Sequence, residues 1–128
     1  MKCGVEMRED SAVKTIFLFQ WDAEAAARRA GLLRAAGWNV EVESEDGARG
    51  VRRVLDVKPD LIVFDLAARP SHSRESALAV RRYRAGRYIP MIFVDGREDA
   101  VARLKSRIEG AIFTSPDLLL ERLANFET

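Results

Sequence analysis

Pro59-Asp60-Leu61-Ile62-Val63-Phe64-Asp65-Leu66 is an apolar run closed by a carboxylate. Four successive large apolar residues, Leu61 to Phe64, read as a strand buried on both faces, which parallel sheets need and one-sided antiparallel sheets do not. The run therefore belongs at the centre of a parallel sheet. Asp65 then stands at the strand's carboxyl end, where open α/β sheets place their ligand and reaction sites. An aspartate there also serves as an ordinary turn residue, so its neighbours decide its role.

Working outward toward the amino end, Ile16-Phe17-Leu18-Phe19 is a second buried-strand run, and it ends at Gln20-Trp21-Asp22. A helix follows to about Ala36, with Asp22 as N-cap, Glu24 in its first turn and Gly37 at its end. Ala23, Ala26, Ala30 and Leu33 recur at helical spacing and give that helix a small-residue face for the sheet. Trp38 to Val42 alternates as an edge strand does. Asp46-Gly47 turns into a second helix whose Ala48, Val51 and Leu55 share one face until Lys58-Pro59 stops it.

Toward the carboxyl end, Ala67 to Ser73 reads as loop with Pro70 inside it, and a third helix carries Ala77, Leu78 and Val80 to about Ala85, where Gly86 breaks it. Ile89 to Val94 is another buried strand, with Pro90 tolerable at its start and Asp95 at its end. Val101, Leu104 and Ile108 define a fourth helix closed by Gly110, and Ala111 to Thr114 is a fifth strand. Ser115 as N-cap and Pro116 at the first helical position open a last helix, with Leu119, Leu123 and Phe126 facing inward. Strand and helix alternate five times, which predicts a doubly wound (βα)5 α/β domain, a parallel five-stranded sheet between two helix layers.

The 128 residues and 14.4 kDa suit one domain. Residues 1–12 read as a loose tail and residues 13–128 as the domain. The net charge of +1 gives no bulk field for nucleic acid or membrane. The lone Cys3 offers neither an internal disulfide nor a zinc set, and no apolar stretch reads as a signal peptide or membrane span. These features predict a soluble cytoplasmic protein without an output domain after the last helix. The stretch after the first strand lacks a phosphate loop for a flavin nucleotide, and the chain has no glycine-rich dinucleotide fingerprint, nucleophile elbow or paired Cys/His set. No enzymatic activity is expected.

A (βα)5 chain with PDLIVFDL on its third strand and IPMIFVD on its fourth resembles the receiver domains of bacterial response regulators, which share the flavodoxin-like architecture. The likeness runs from Val13 to Phe126 and includes Asp46-Gly47-Ala48 at the second helix and Gly110-Ala111 through Ser115-Pro116 around the fifth strand. It implies a two-component or phosphorelay signalling role, with Asp65 in the position that accepts a phosphoryl group from a histidine kinase. Such a transfer needs cations and donors around the dianionic group. The two acids that hold Mg²⁺ in the family correspond here to Gln20 and Trp21. The strand-ending hydroxyl residue corresponds to Asp95, the lysine to Ser115 and the aromatic switch residue to Ile112, while Pro70 falls one residue later than usual. The resemblance thus implies a pseudo-receiver without cofactor, acting through protein partners, with a conventional Mg²⁺-dependent phosphoacceptor as the alternative.

Three other readings attach to named residues. Asp22, Asp65 and Asp95 at neighbouring strand ends form a candidate set of hard oxygen ligands, against which stand the bulk of Trp21 and the demand of the helix on Asp22. Without a cation, Asp65 and Asp95 would repel, and Asp95→Thr or Asp95→Asn would relieve the cost. Arg74, Arg81, Arg82, Arg84 and Arg87 form a basic cluster near Tyr83 and Tyr88, read as a solvated face rather than a nucleic-acid site. His72 is read as a solvent-facing loop residue. Finally, the resemblance makes the fourth helix, fifth strand and fifth helix the partner face, where Leu118 and Leu120 beside Ile112 would form an apolar patch for a partner or a second copy.

Overall fold

Residues 13–126 are described by a computed structural model; the expected tail and Cys3 lie outside them. The strands are β1 (Thr15–Phe19), β2 (Asn39–Glu43), β3 (Leu61–Asp65), β4 (Met91–Val94) and β5 (Ile112–Thr114). The helices are α1 (Ala23–Ala35), α2 (Gly47–Val57), α3 (Pro70–Arg82), α4 (Glu98–Lys105) and α5 (Leu119–Phe126). The strands form one five-stranded sheet in the order β2-β1-β3-β4-β5, and all four pairings are parallel. Every residue of β3 is buried, as its unbroken apolar run requires.

Alternation along the strands sends side chains to two cores. Ile16, Leu18, Val63 and Ile92 pack with Ala30 and Leu33 of α1 and Leu119 and Leu123 of α5. Phe17, Phe19, Phe64 and Phe93 pack with Val51 and Val54 of α2, Val80 of α3 and Leu104 of α4. Strand register turns the second set into a ladder. Phe19 stacks on Phe64 at 4.9 Å between centroids, Phe64 on Phe93 at 5.0 Å and Phe93 on Phe113 at 5.3 Å. Each such pair adds about 0.5–1.5 kcal/mol beyond the area it buries. Gly50 lets α2 settle on this face, because a methyl there would collide with the Phe19 ring and the Glu43 stem.

The β2 edge is closed by arginines. Arg34 of α1 donates to Val40 O at 2.8 Å and Arg53 of α2 donates to Val42 O at 2.7 Å. Two carbonyls of the edge strand are thereby occupied by side chains, one way to discourage pairing with another chain.

Several element ends depart from the sequence reading. The expected loop over Ala67 to Ser73 is shorter, because Arg69 turns the chain in the left-handed region (φ 44°) and Pro70 starts α3 at once. Proline suits a first helical position, having no N–H to satisfy. α3 ends at Arg82, and a 3-10 turn, Arg84–Gly86, follows. Gly86 is required there, since a Cβ would lie 2.5 Å from Val80 O. α4 ends at Lys105, short of Gly110, although Ile108 still buries its side chain in the turn beyond. Ser115 makes no side-chain cap bond; a 3-10 turn, Pro116–Leu118, precedes α5 instead. Ala23 and Ala48 are exposed, so the buried stripes are Ala26-Ala30-Leu33 and Gly50-Val51-Val54. Among the described residues no helix is long and apolar enough to cross a membrane.

Candidate functional site

Asp65 ends β3 with its side chain 3% exposed, facing α1. Its Oδ2 accepts from Arg29 Nη2 at 3.1 Å and Nε at 3.3 Å, and its Oδ1 accepts from the Ala67 N–H at 3.0 Å. Both oxygens are therefore engaged by donors from the chain itself. Arg29, 15% exposed, reaches in from α1 beside the buried stripe. The sequence reading missed it. The available signal was position: Arg29 lies three residues after Ala26 and four before Leu33, at the border of the inward face.

The other pocket positions are arranged around this pair. Gln20 is buried and its Oε1 accepts from the Asp22 N–H at 2.9 Å. Asp22 caps α1 by accepting from the Ala25 N–H at 2.9 Å. Trp21 is buried against Phe19 (5.9 Å between centroids), and its indole N–H donates to Ser73 Oγ at 2.9 Å. The Ser73 hydroxyl in turn donates to the main-chain oxygen of Asp65 at 3.3 Å. Ser73 is the second residue missed, hidden because its segment reads as loop. His72 is exposed, as expected, yet its ring also meets the Trp21 edge at 5.5 Å.

Asp95 is apart from that cluster. It is exposed, and with Ser115 it borders a shallow groove of about 340 Å³ between the start of α4 and the end of β5. Asp22, Asp65 and Asp95 do not assemble: among the described residues no group of three or more His, Cys, Asp or Glu could hold a metal ion. Nor do the residues present suit Mg²⁺, which wants hard oxygens in near-octahedral array. One Asp65 oxygen faces the Arg29 cation and the other accepts from the Ala67 N–H, the Gln20 carbonyl is uncharged and accepts from the Asp22 N–H, and Trp21 offers an apolar ring.

Asp65 has an attractive partner in Arg29, and backbone conformation changes the expectation at Asp95. Its φ is 62°, in the left-handed region, which asparagine tolerates and β-branched residues do not. Asp95→Asn should leave stability within about 0.5 kcal/mol of wild type, whereas Asp95→Thr should lower it by about 1–2 kcal/mol. Urea denaturation of the two variants checks this; a threonine variant as stable as wild type would mean that the turn relaxes freely.

A further carboxylate escaped the sequence reading. Glu43, buried at the end of β2, accepts from Arg49 Nε at 2.9 Å and Nη2 at 2.7 Å. It also accepts from the N–H groups of Glu45 at 3.0 Å and Asp46 at 2.9 Å, so it clamps the start of α2. Burial pushes this carboxyl up, but the Arg49 and backbone hydrogen bonds outweigh it and hold the pKa down at about 2.

The remaining candidates divide. Arg81 is no free cation: it donates to Gly86 O at 3.0 Å and Ile89 O at 2.8 Å, and burial lowers its pKa. Arg74 is half-buried, leaving Arg82, Arg84 and Arg87 exposed. Leu118 and Leu120 are 46% and 45% exposed. Ile112 borders a groove with Arg122, Asn125 and Phe126. At about 100° per residue, Leu120 is on the opposite flank of α5 from that groove.

No family profile matches the sequence, and no curated protein matches it. Solved structures do. A chemotaxis protein of Vibrio cholerae superposes with a TM-score of 0.74 at 15% identity, covering 88% of this chain and 98% of the other. A putative response regulator from Chloroflexus aurantiacus gives 0.73 at 18% identity, with 90% and 98% covered. The receiver domain of a sensor histidine kinase from Pseudomonas aeruginosa, solved with magnesium in its active-site cleft, gives 0.71 at 16% identity, with 90% and 94% covered. The fold of this chain is that of the response-regulator receiver domain.

Proposed function

We propose that this chain is a cytoplasmic signal-transduction module of the receiver type, not an enzyme, that works mainly by protein–protein contact because its aspartyl phosphorylation site is degenerate. The observation that carries this reading is the buried Arg29–Asp65 pair. A phosphoacceptor carboxylate must present a free oxygen to the donor phosphorus, with cations ready for the charge that develops on the transferring group. Here one oxygen is turned to Arg29 and the other to the Ala67 N–H. Gln20 and Trp21 supply no anionic ligand for Mg²⁺, and Ser115 supplies no cation. The guanidinium instead pairs with Asp65 and ties the end of β3 to α1, so the carboxylate serves as a fixed joint. Partners are other signalling proteins, a histidine kinase among them, and the half-exposed Leu118 and Leu120 offer apolar contact beside the α5 start.

Incubation of the protein with Mg²⁺ and acetyl phosphate, followed by intact-mass measurement, should show no phosphoryl adduct. A stable adduct that disappears in Asp65→Asn would overturn the reading and make the chain a working phosphoacceptor.

A further inference from the structure

α2 and α3 lie side by side on the phenylalanine face of the sheet, and a groove of about 530 Å³ opens between them. Ala48, Val51 and Leu55 of α2 face Ser76 and Ala79 of α3 across it. Spacings of three and four residues put each set on one side of its helix, so the groove follows two helical stripes. The short side chains of Ser76 and Ala79 leave the space between the helices unfilled.

Size and charge select the occupant. From Ala48 to Leu55 the α2 wall rises only about 10 Å, two helical turns. A partner helix would seat too little of itself there to approach the ~800 Å² per side of a stable protein interface. A volume of about 530 Å³ instead falls within the range of small-molecule sites, on the order of 300–1,000 Å³. Of the three arginines of α2, Arg49 is committed to Glu43 and Arg53 to Glu41 and Glu43. Arg52 borders the groove, is exposed, and forms no ion pair among the described residues, not even with Glu75 on the opposite wall. The groove thus offers an apolar floor, Arg52 as the one arginine on its rim, His72 and Tyr83 along the α3 wall, and the Glu75 carboxylate, which disfavours a second negative charge.

We propose that this groove binds a small amphipathic organic anion, with an aromatic or aliphatic body on Val51, Leu55 and Ala79 and one carboxylate or sulfonate held by Arg52. The inference does not depend on whether Asp65 can be phosphorylated. The groove adjoins the contacts at the strand ends. Gly47 borders the groove, and a Cβ built on it would be 3.8 Å from the far edge of Trp21. Trp21 holds Ser73, and Ser73 holds the Asp65 backbone.

The test is a fluorescence titration of the folded full chain with anilinonaphthalene sulfonate, paired with phenylnaphthylamine, which has the same rings and no charge. The sulfonate should bind saturably at one equivalent, and the neutral probe about tenfold more weakly. Arg52→Glu should weaken the sulfonate by about tenfold or more without changing the neutral probe, and Arg52→Lys should stay within about threefold of wild type. Ala79→Leu, which fills the floor, should abolish binding of both; because Arg52 is a surface residue, its variants carry the test even if the leucine variant folds poorly. Equal affinity for the two probes, indifference of the sulfonate to Arg52→Glu, or binding that never saturates would each overturn the assignment.

Discussion

Arg29→Met is expected to lower the free energy of unfolding by about 3 kcal/mol, and adding Asp65→Asn to that chain should return at least half of the loss. Methionine keeps much of the apolar stem that packs along α1 and removes the charge alone. What it leaves behind is a carboxylate with 3% of its side chain exposed and only the Ala67 N–H as partner. Breaking a buried pair by deleting one member costs about 3–5 kcal/mol because the survivor cannot recover its hydration. The lower end applies here, since Arg29 is itself 15% exposed and water can follow into its place. Asn at position 65 keeps an oxygen for Ala67 and carries no charge to strand. Urea denaturation of wild type, both single variants and the double variant gives the coupling energy directly. If the double variant is no more stable than the sum of the single losses implies, the ion pair does not hold the strand end to α1.

The fold was legible because its signals are local and redundant. Ile16 to Phe19, Leu61 to Phe64 and Met91 to Val94 are each apolar without interruption, which only a strand covered on both faces explains, and short connections then leave right-handed crossovers. That Gln20, Trp21, Asp65 and Asp95 lie at or just past the carboxyl ends of strands was legible for a similar reason, although Asp95 stands apart from the other three. Arg29, Ser73, Glu43 and Arg49 were not. Each acts through a side chain that crosses from one element to another, and nothing in the spacing of α1 separates an arginine on the border of its inner stripe from a solvated one. Glu43 was hidden by an edge strand: in register with Phe19, it falls on the buried phenylalanine face, while the alternation of Val40 and Val42 marks the opposite face as apolar.

The same crossing contacts explain where the element ends went astray. Pro70 reads as a loop residue until Arg69 takes a left-handed turn, after which proline is the natural first residue of α3. Ser73, assigned to loop, then becomes a buried link between Trp21 and the Asp65 backbone. Ile108 follows Leu104 at helical spacing and does bond back to it, its N–H donating to Leu104 O at 2.9 Å, although α4 has already ended. Leu118 and Leu120 are exposed as their surplus beyond the inner stripe suggested, but the phase of α5 turns Leu120 away from the groove that Ile112 borders.

Acid should weaken the domain through Glu43, and Glu43→Gln should remove that sensitivity. The carboxyl has an ordinary value of 4.5 and is held at about 2 in the folded chain. Burial by itself would raise it; the hydrogen bond from Arg49, those from the Asp46 and Glu45 N–H groups, and the Arg49 charge together more than offset that. A carboxyl depressed on folding contributes stability that is fully present above its unfolded pKa and is lost as the pH falls through the folded one. The window therefore runs from about 4.5 down to about 2. Its size is on the order of 2 kcal/mol, once solvent screening at the half-exposed Arg49 is allowed for. Near pH 7, Glu43→Gln should cost about 2–3 kcal/mol, because Arg49 and Arg53 then face a neutral amide and the clamp on the α2 start loosens. Near pH 2 the wild-type carboxylate is itself about half protonated and most of its contribution is gone, so the difference between the two proteins should shrink to well under about 1 kcal/mol. Urea melts of both proteins across that range set Glu43 apart from the other carboxylates, which the two proteins share. If the two stability curves run parallel from neutral pH to acid, Glu43 does not anchor the acid response and the clamp on α2 must come from elsewhere.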